Sequence, residues 1–158
     1  MHARDSGPLI GTGGCHVKIE GRGVTRRIAL SALVVPDYDA AIRFYVGLLG
    51  FALVEDTDLG NGKRWVVVAP FPGASGLLLA RAAGERQRAS VGNQTGGRVA
   101  FILETDDFAR DHASMRAAGV AFEEEPRSEP YGTVAVWRDP FGNRWDLIEP
   151  KTPMGRDP

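Results

Sequence analysis

The segment 131-YGTVAVWRDPFGNRWDLIEP-150 contains two short apolar runs joined by a turn sequence. Residues 133–138 alternate with the period of two that is typical of a β-strand, and residues 144–149 supply a second strand. Between them, the Asp-Pro-Phe-Gly-Asn sequence at 139–143 favours a tight turn, because Asp-Pro starts one and Gly142 can take a positive φ. The segment therefore predicts a β-hairpin. Its unusual feature is Asp146, a carboxylate between a tryptophan and a leucine.

The hairpin closes the second of two halves that share one plan. Each half begins with a buried strand (28–35 and 99–105), continues with an Asp-capped helix that stops at a glycine, and finishes with three strands. A shift of 69 positions aligns the halves after the helix and places Leu77 on Asp146. The sequence therefore predicts an α+β fold of two β-α-β-β-β modules whose sheets pair around a shared cavity. The predicted modules span about 26–82 and 97–150 of a domain at 26–150, which lies between a Gly-rich leader (1–25) and a tail (151–158).

Composition and charge limit the classes of partner. Of 158 residues, 43% are hydrophobic, which is enough for a buried core. Nineteen basic and 20 acidic side chains give a net charge of −1, which favours neither nucleic acid nor an anionic membrane as a partner. The sequence has no apolar run long enough to span a bilayer and no signal peptide, so we expect a cytoplasmic location. Cys15 is the only cysteine, so an intrachain disulfide is excluded.

Two motifs resemble a known family. Val-Pro-Asp-Tyr-Asp-Ala-Ala-Ile-Arg-Phe-Tyr at 35–45 with Leu-Gly-Phe at 49–51, and Arg-Asp-Pro-Phe-Gly-Asn-Arg-Trp-Asp-Leu-Ile-Glu at 138–149, are similar to the vicinal oxygen chelate superfamily. Its members include glyoxalase I, extradiol dioxygenases, and bleomycin- and fosfomycin-resistance proteins. The resemblance covers about residues 26–150 and implies a small-molecule ligand. It also implies a homodimer in which cavities can be shared across the interface.

The resemblance further implies one divalent metal held by the first and last strand of each half. The corresponding positions are Leu30, Ala100, Leu77 and Asp146, of which only Asp146 can bind a metal. One carboxylate cannot supply the three protein ligands of a catalytic zinc or the triad of a non-haem iron site. We therefore expect no cofactor, with a divalent metal possible only in an atypical site. Outside the leader the one histidine is His112, on the second predicted helix, so iron-dependent extradiol chemistry is not expected.

An alternative alignment starts the first strand at His16-Val-Lys-Ile. It would supply a histidine ligand, but no Val-x-Asp and helix follow it at the right distance. A one-residue slip in strand register would also exchange the two faces of a strand. The neighbours that such a slip would bring into the cavity, Ala29, Ser31, Val99 and Leu78, are no better as ligands.

The remaining polar candidates point to proton transfer. Glu104 lies four residues after Ala100 and so shares the presumed cavity face of that strand, where it could form an acid/base pair with Asp146. The alternatives are a Glu104 that is solvated or paired with Arg98, and an Asp146 that is hydrogen-bonded to Tyr131 or to an arginine. The predicted catalytic residues are Asp146, Glu104 and Tyr131.

Aromatic side chains offer a second kind of site. Three tryptophans lie on predicted cavity strands, where their rings could stack on a planar or cationic ligand, although a period-two pattern also allows some of them to face the helix. The predicted substrate-binding residues are Trp65, Trp137 and Trp145.

Three functions remain open from the sequence. The first is a metal-free or atypical small-molecule enzyme of the lyase or isomerase type. The second is a protein that sequesters a drug or metabolite without turnover, and the third is an interaction protein with a vestigial cavity. Metal-independent binding or unusual chemistry is favoured because three of the four ligand positions are apolar.

Overall fold

The structure is a computed structural model that describes residues 27–152. The predicted leader (1–25) with Cys15 and His16 lies outside the described residues, as do residues 153–158 of the predicted tail.

The first module follows the predicted β-α-β-β-β order. Asp37 caps its helix, with the side chain accepting a 2.8 Å hydrogen bond from the amide of Ala40, as the sequence predicted. The helix passes into a π-helical segment before the chain turns into a second strand that is longer than expected. The elements are β1 (Leu30–Val35), α1 (Tyr38–Ile42) with its π-helical extension (Arg43–Leu48), β2 (Ala52–Gly60), β3 (Lys63–Ala69) and β4 (Gly76–Arg81).

The second module repeats the plan with two differences. A short helix that was not predicted, α2 (Glu85–Ser90), lies in the linker, which we define as the segment 82–100 between β4 and β5. The strand expected at 120–124 is short, and Pro126, which has no amide hydrogen for a ladder, separates it from a further short strand. The elements are β5 (Phe101–Glu104), α3 (Phe108–Ala117), β6 (Ala121–Phe122), β7 (Arg127–Glu129), β8 (Gly132–Arg138) and β9 (Arg144–Pro150).

The strands form two separate sheets. The N-terminal sheet has the order β1-β4-β3-β2, and the C-terminal sheet has the order β5-β9-β8-β6 with β7 also paired to β8. In each sheet the first strand of the module runs parallel to the last, and the other pairs are antiparallel. This arrangement confirms the predicted α+β class and its two β-α-β-β-β modules.

One hydrophobic core joins the two modules. It contains the helix-facing side chains of both sheets together with buried residues of α1 and α3. Phe44, which follows α1, packs on Trp137 of the C-terminal sheet with ring centroids 6.2 Å apart, and Tyr45 packs on Trp145 at 5.9 Å. The helices therefore lie between the two sheets. The opposite faces, which we call the outer faces, point away from this core, so within one chain the sheets do not face each other.

The predicted turn at 139–143 has a second role at this junction. The buried carboxylate of Asp139 accepts hydrogen bonds from the amides of Phe141 and Asn143 (both 2.9 Å) and from the Asn143 side chain (2.7 Å). It also accepts a 2.6 Å bond from the hydroxyl of Tyr45. Burial, together with the charge of Asp139, raises the pKa of Tyr45, so the phenol stays protonated as a donor. The turn thus fixes the first helix against the second sheet.

Candidate functional site

Asp146 lies on the outer face of the C-terminal sheet. Its neighbours in β9, Trp145 and Leu147, are buried against the helices, so the alternation of a strand sends Asp146 to the other side. Cross-strand partners put Ile102 and Val136 on either side of it. The same face carries, by alternation and register, Glu104, Val134, Arg138, Arg144 and Ile148.

The predicted carboxylate pair shares this face. Glu104 is registered with Ile148, two residues beyond Asp146, so the two carboxylates are diagonal neighbours on adjacent parallel strands. The backbone of Tyr131 is not brought to them, although its side chain lies close enough to Arg127 to help raise the pKa of that guanidinium. Tyr131 precedes Gly132, which pairs with Pro150 at the far end of β9, roughly 16 Å along the strand from the Asp146 position.

The three tryptophans divide between the core and an outer face. Trp137 and Trp145 stack on each other with ring centroids 5.0 Å apart and lie buried on the helix side of the C-terminal sheet. This placement puts both rings on the opposite side of the sheet from Asp146. Trp65 alternates with buried Val66 in β3 and lies on the outer face of the N-terminal sheet, with 37% of its surface exposed.

The predicted metal position in the first module requires a correction. Leu77 is paired with Val68 and is buried on the helix side, so the outer-face position of β4 is Leu78. The reason is a one-residue difference between turns, because six residues (70–75) join β3 to β4 and five (139–143) join β8 to β9. The repeat shift therefore falls from 69 to 68 at this turn, and Leu78 corresponds to Asp146.

The corrected positions do not fit the metal site of the superfamily. With Leu30, Ala100 and Leu78 beside Asp146, the donor set is one carboxylate and three apolar side chains. Within residues 27–152, no group of three or more His, Cys, Asp or Glu residues is placed to hold a metal ion. A single carboxylate falls short of the three protein ligands that a catalytic zinc needs.

Charged side chains surround Asp146 and pair with one another. Glu123 accepts from both Arg138 and Arg144, the latter at 2.8 Å. Arg127 donates to Glu124 at 2.9 Å and to Glu129 at 2.5 Å. With Asp146, these residues form what we call the charged cluster: Glu123, Glu124, Arg127, Glu129, Arg138, Arg144 and Asp146.

Asp146 stands apart within the charged cluster. Its Oδ1 is buried and has no hydrogen-bond partner among residues 27–152. This oxygen therefore does not accept the hydrogen bond from Tyr131 or an arginine that the sequence left open as an alternative. Burial raises the pKa of Asp146, and the charges of Arg127 and Arg144 oppose this effect while Glu124 adds to it. Asp146 as a whole is half-buried, so a ligand on this face can reach the carboxylate and supply the donor that Oδ1 lacks among the described residues.

A groove lies between the two modules. It has a volume of about 730 Å³ and lies where the first module meets α3. Three of the charged groups that line it pair with one another: Arg110 binds Asp106 and Asp111, each at 2.8 Å, and Thr105 donates to Asp111 at 2.5 Å. This inter-module groove is lined by Leu48, Leu49, Phe51, Pro70, Phe71, Leu103, Glu104, Thr105, Asp106, Arg110, Asp111, Ser114, Met115, Leu147 and Pro150.

Sequence reasoning did not identify the arginines of the charged cluster or the groove. Arg138, Arg144 and Asp146 alternate with Trp137 and Trp145 along the hairpin, so a stricter use of the period of two would have placed the charges on one face. The groove depends on contacts between the modules, which no local pattern carries.

Comparison with known proteins places the fold and its motifs in one family. The model of the Glyoxalase/Bleomycin resistance protein/Dioxygenase superfamily matches residues 27–147. The chain belongs to this superfamily.

Similar proteins include relatives by sequence and by structure. An uncharacterized protein of Shewanella frigidimarina (strain NCIMB 400) is 54% identical over 121 residues, which are 75% of this chain and 89% of that protein. The solved structure of UcmS2 is similar with a TM-score of 0.69 and 28% identity, covering 79% of this chain and 98% of UcmS2. That of TnmS3, an antibiotic binding protein from Streptomyces sp. CB03234, has a TM-score of 0.65 and 31% identity, covering 82% of this chain and all of TnmS3 (100%).

Among residues 27–152, no helix is both long enough and apolar enough to cross a bilayer.

Proposed function

We propose that this protein binds a small organic molecule on the outer face of the C-terminal sheet, around Asp146, without the metal that is usual in its superfamily. The observation that carries the proposal is the buried Oδ1 of Asp146, which has no hydrogen-bond partner among residues 27–152 and lies on the face of the sheet that points away from the helices. Binding sites are mostly apolar with a few well-placed polar groups, and Asp146 is such a group beside Ile102 and Val136. The similarity to TnmS3, an antibiotic binding protein, is in keeping with this role.

A second copy of the chain completes the proposed site. Each chain has two outer faces that point in different directions, and each bears an exposed large apolar side chain, Ile102 at 59% and Trp65 at 37% exposure. In a twofold dimer, the N-terminal sheet of one copy would cover the C-terminal sheet of the other, which gives two equivalent sites. The covering face is apolar, since it carries Leu30, Ala32 and Leu78. Such a face would exclude water from a ligand that is bound to Asp146.

Proton-transfer catalysis is a second candidate function. It is favoured by the shared face of Glu104 and Asp146 and by the burial that raises the pKa of Asp146, since a base works best with a pKa nearer neutrality. In this reaction Asp146 would take a proton from one atom of a bound substrate and return it to a neighbouring atom, with Glu104 beside it on the adjacent strand. Such an enzyme would be of the lyase or isomerase type. The donor set does not fit a metal-dependent route, so no step passes through a metal.

The proposal is tested by oligomeric state and binding in matched variants. Light scattering during size exclusion should give about twice the 17.0 kDa chain mass for the wild type and the single-chain mass for Ile102→Glu. A panel of planar aromatic molecules should raise the melting temperature of the wild type but not that of Ile102→Glu. Phe71→Ser, in the inter-module groove, is the control and should keep both properties, because Phe71 is 63% exposed and lies in the turn at 70–75, outside the strands that form the outer faces.

Binding that survives Ile102→Glu and disappears in Phe71→Ser would contradict the proposal, because the binding site would then lie in the inter-module groove. Mass spectrometry of the recovered ligand separates the two candidate functions, since an unchanged ligand supports binding and a converted one supports catalysis.

A further inference from the structure

We infer that the ligand of the Asp146 face is an aromatic molecule that carries a cationic nitrogen, and that Asp146 forms the ion pair with that nitrogen. This inference rests on the proposed function and names the class of molecule for the same site. It follows from the pairing of charges within the charged cluster, from the unsatisfied oxygen of Asp146, and from the character of the two outer faces.

The charges of the cluster are balanced except at Asp146. Three arginines are matched by three glutamates, with Arg138 and Arg144 on Glu123 and with Arg127 between Glu124 and Glu129. Asp146 is the fourth acid and, among the described residues, takes part in none of these ion pairs. The cluster therefore has one surplus negative charge, which lies at the position nearest the centre of the sheet.

The neighbouring arginines are not free to satisfy Asp146. The guanidinium of Arg144 donates to Glu123 and, through Nη1, to the carbonyl of Gly97 at 3.0 Å. That of Arg127 is held between two glutamates. Both arginines lie near enough for their charges to act on Asp146, yet its Oδ1 has no donor among residues 27–152. A ligand that brings its own donor would complete the site without breaking an existing ion pair.

A cationic donor suits this position better than a neutral or an anionic one. Any donor to a carboxylate makes a charge-assisted hydrogen bond, but a cationic donor adds the attraction between two full charges, and this attraction is stronger in a partly desolvated site than in water. An anionic ligand would need a free cation, whereas the three arginines of the cluster are engaged. An aromatic ring would pack on Ile102 below and on Trp65 of the covering copy, whose indole face also attracts cations.

The test uses three acridines of similar shape and different charge. The probes are 9-aminoacridine, which is a cation at neutral pH, acridone, which is neutral, and acridine-9-carboxylate, which is an anion. We expect 9-aminoacridine to bind the wild type about ten-fold more tightly than acridone, and acridine-9-carboxylate to bind most weakly. Asp146→Asn should remove this preference and leave the affinity for acridone unchanged. Added salt should weaken the binding of 9-aminoacridine but not that of the other two probes.

The control is Glu125→Gln, which removes the same unit of charge from a side chain that is 87% exposed and outside the charged cluster. It should leave the order of the three affinities intact. Equal binding of 9-aminoacridine and acridone, unchanged in Asp146→Asn, would overturn the inference and leave the proposed function standing. If no probe binds the wild type, or if binding persists in Ile102→Glu, both the inference and the proposed function are contradicted.

Discussion

The hydroxyl of Tyr45 donates a 2.6 Å hydrogen bond to the buried carboxylate of Asp139, which lies 94 positions further along the chain. The bond joins the π-helical segment of the first module to the hairpin turn of the second. It therefore fixes how the two sheets are oriented on either side of the helices, and so which faces remain open to a ligand.

Tyr45→Phe should destabilise the protein without changing its fold. The substitution removes one of four hydrogen bonds to a buried charged group and leaves the ring packing in place, which should cost about 1.5–3 kcal/mol of unfolding free energy. Urea denaturation measures the difference. Tyr131→Phe is the control, because its ring is 56% exposed, and it should change stability by no more than about 0.5 kcal/mol. Equal effects of the two substitutions would show that the Tyr45–Asp139 bond does not stabilise the junction.

Gly92→Ala should be more destabilising than Gly96→Ala. Both glycines have a positive φ, +75° and +63°, so both substitutions incur a left-handed strain of about 1–2 kcal/mol. A Cβ at Gly92 would in addition lie 2.0 Å from the carbonyl oxygen of Phe141, in the turn that contacts Tyr45. At Gly96 a Cβ would have no atom of the described residues within 4 Å. The difference between the two melting temperatures isolates this contact. A matched loss in both variants would mean that the linker does not pack on the turn.

Gln94→Ala should loosen the linker at the edge of the N-terminal sheet. The Gln94 carboxamide accepts a 2.8 Å hydrogen bond from the amide of Val34 in β1 and donates a 3.4 Å bond to Asn143. Removing it should cost about 1 kcal/mol and increase hydrogen exchange at the Val34 amide. Gln87→Ala, in the exposed helix α2, is the control and should leave exchange at Val34 unchanged. If the Val34 amide is equally protected from exchange in Gln94→Ala and in the wild type, the Gln94 hydrogen bond does not hold the linker on β1.

Asp146→Asn should stabilise the protein at neutral pH. Burial raises the folded-state pKa of Asp146 above its unfolded value, so the unfolded chain gives up this proton more readily. Ionisation therefore lowers stability as pH rises through the unfolded pKa, and the penalty is present in full above the folded pKa. The substitution should add on the order of 1 kcal/mol or less at pH 7, and the gain should vanish near pH 3. A wild type that is more stable than Asp146→Asn at pH 7 would show that the Asp146 carboxylate has a hydrogen-bond or ion-pair partner in the folded protein.

Local chemistry explains what could be predicted from the sequence. The Asp37 cap, the turn at 139–143 and the two-module plan each depend on neighbouring residues, and the structure has all three. The placement of Asp146 beside Glu104 on one face followed from the period of two in a strand. Leu77 was assigned to the wrong face, because one extra residue in the turn at 70–75 changes the repeat shift.

Contacts between distant segments explain what could not be predicted. Trp137 and Trp145 carry a ring suited to a ligand, yet Phe44 and Tyr45 of the other module bury them in the core. The oxygen of Asp146 without a partner likewise depends on arginines that pair instead with Glu123 and Glu124, which follow β6. Neither the burial of the two tryptophans nor the missing partner of Asp146 can be predicted from residue spacing or composition.

The most direct test of the two-copy site is a mixture of two variants. Trp65→Ala alters the N-terminal outer face and Asp146→Asn the C-terminal one, and each alone should bind 9-aminoacridine weakly. If each site combines faces from two copies, refolding the variants together should restore about a quarter of the wild-type sites, since half of the dimers are mixed and each has one intact site. Fluorescence titration of 9-aminoacridine counts them. No recovery of tight sites would contradict the account, because a site within one chain stays damaged in every mixture.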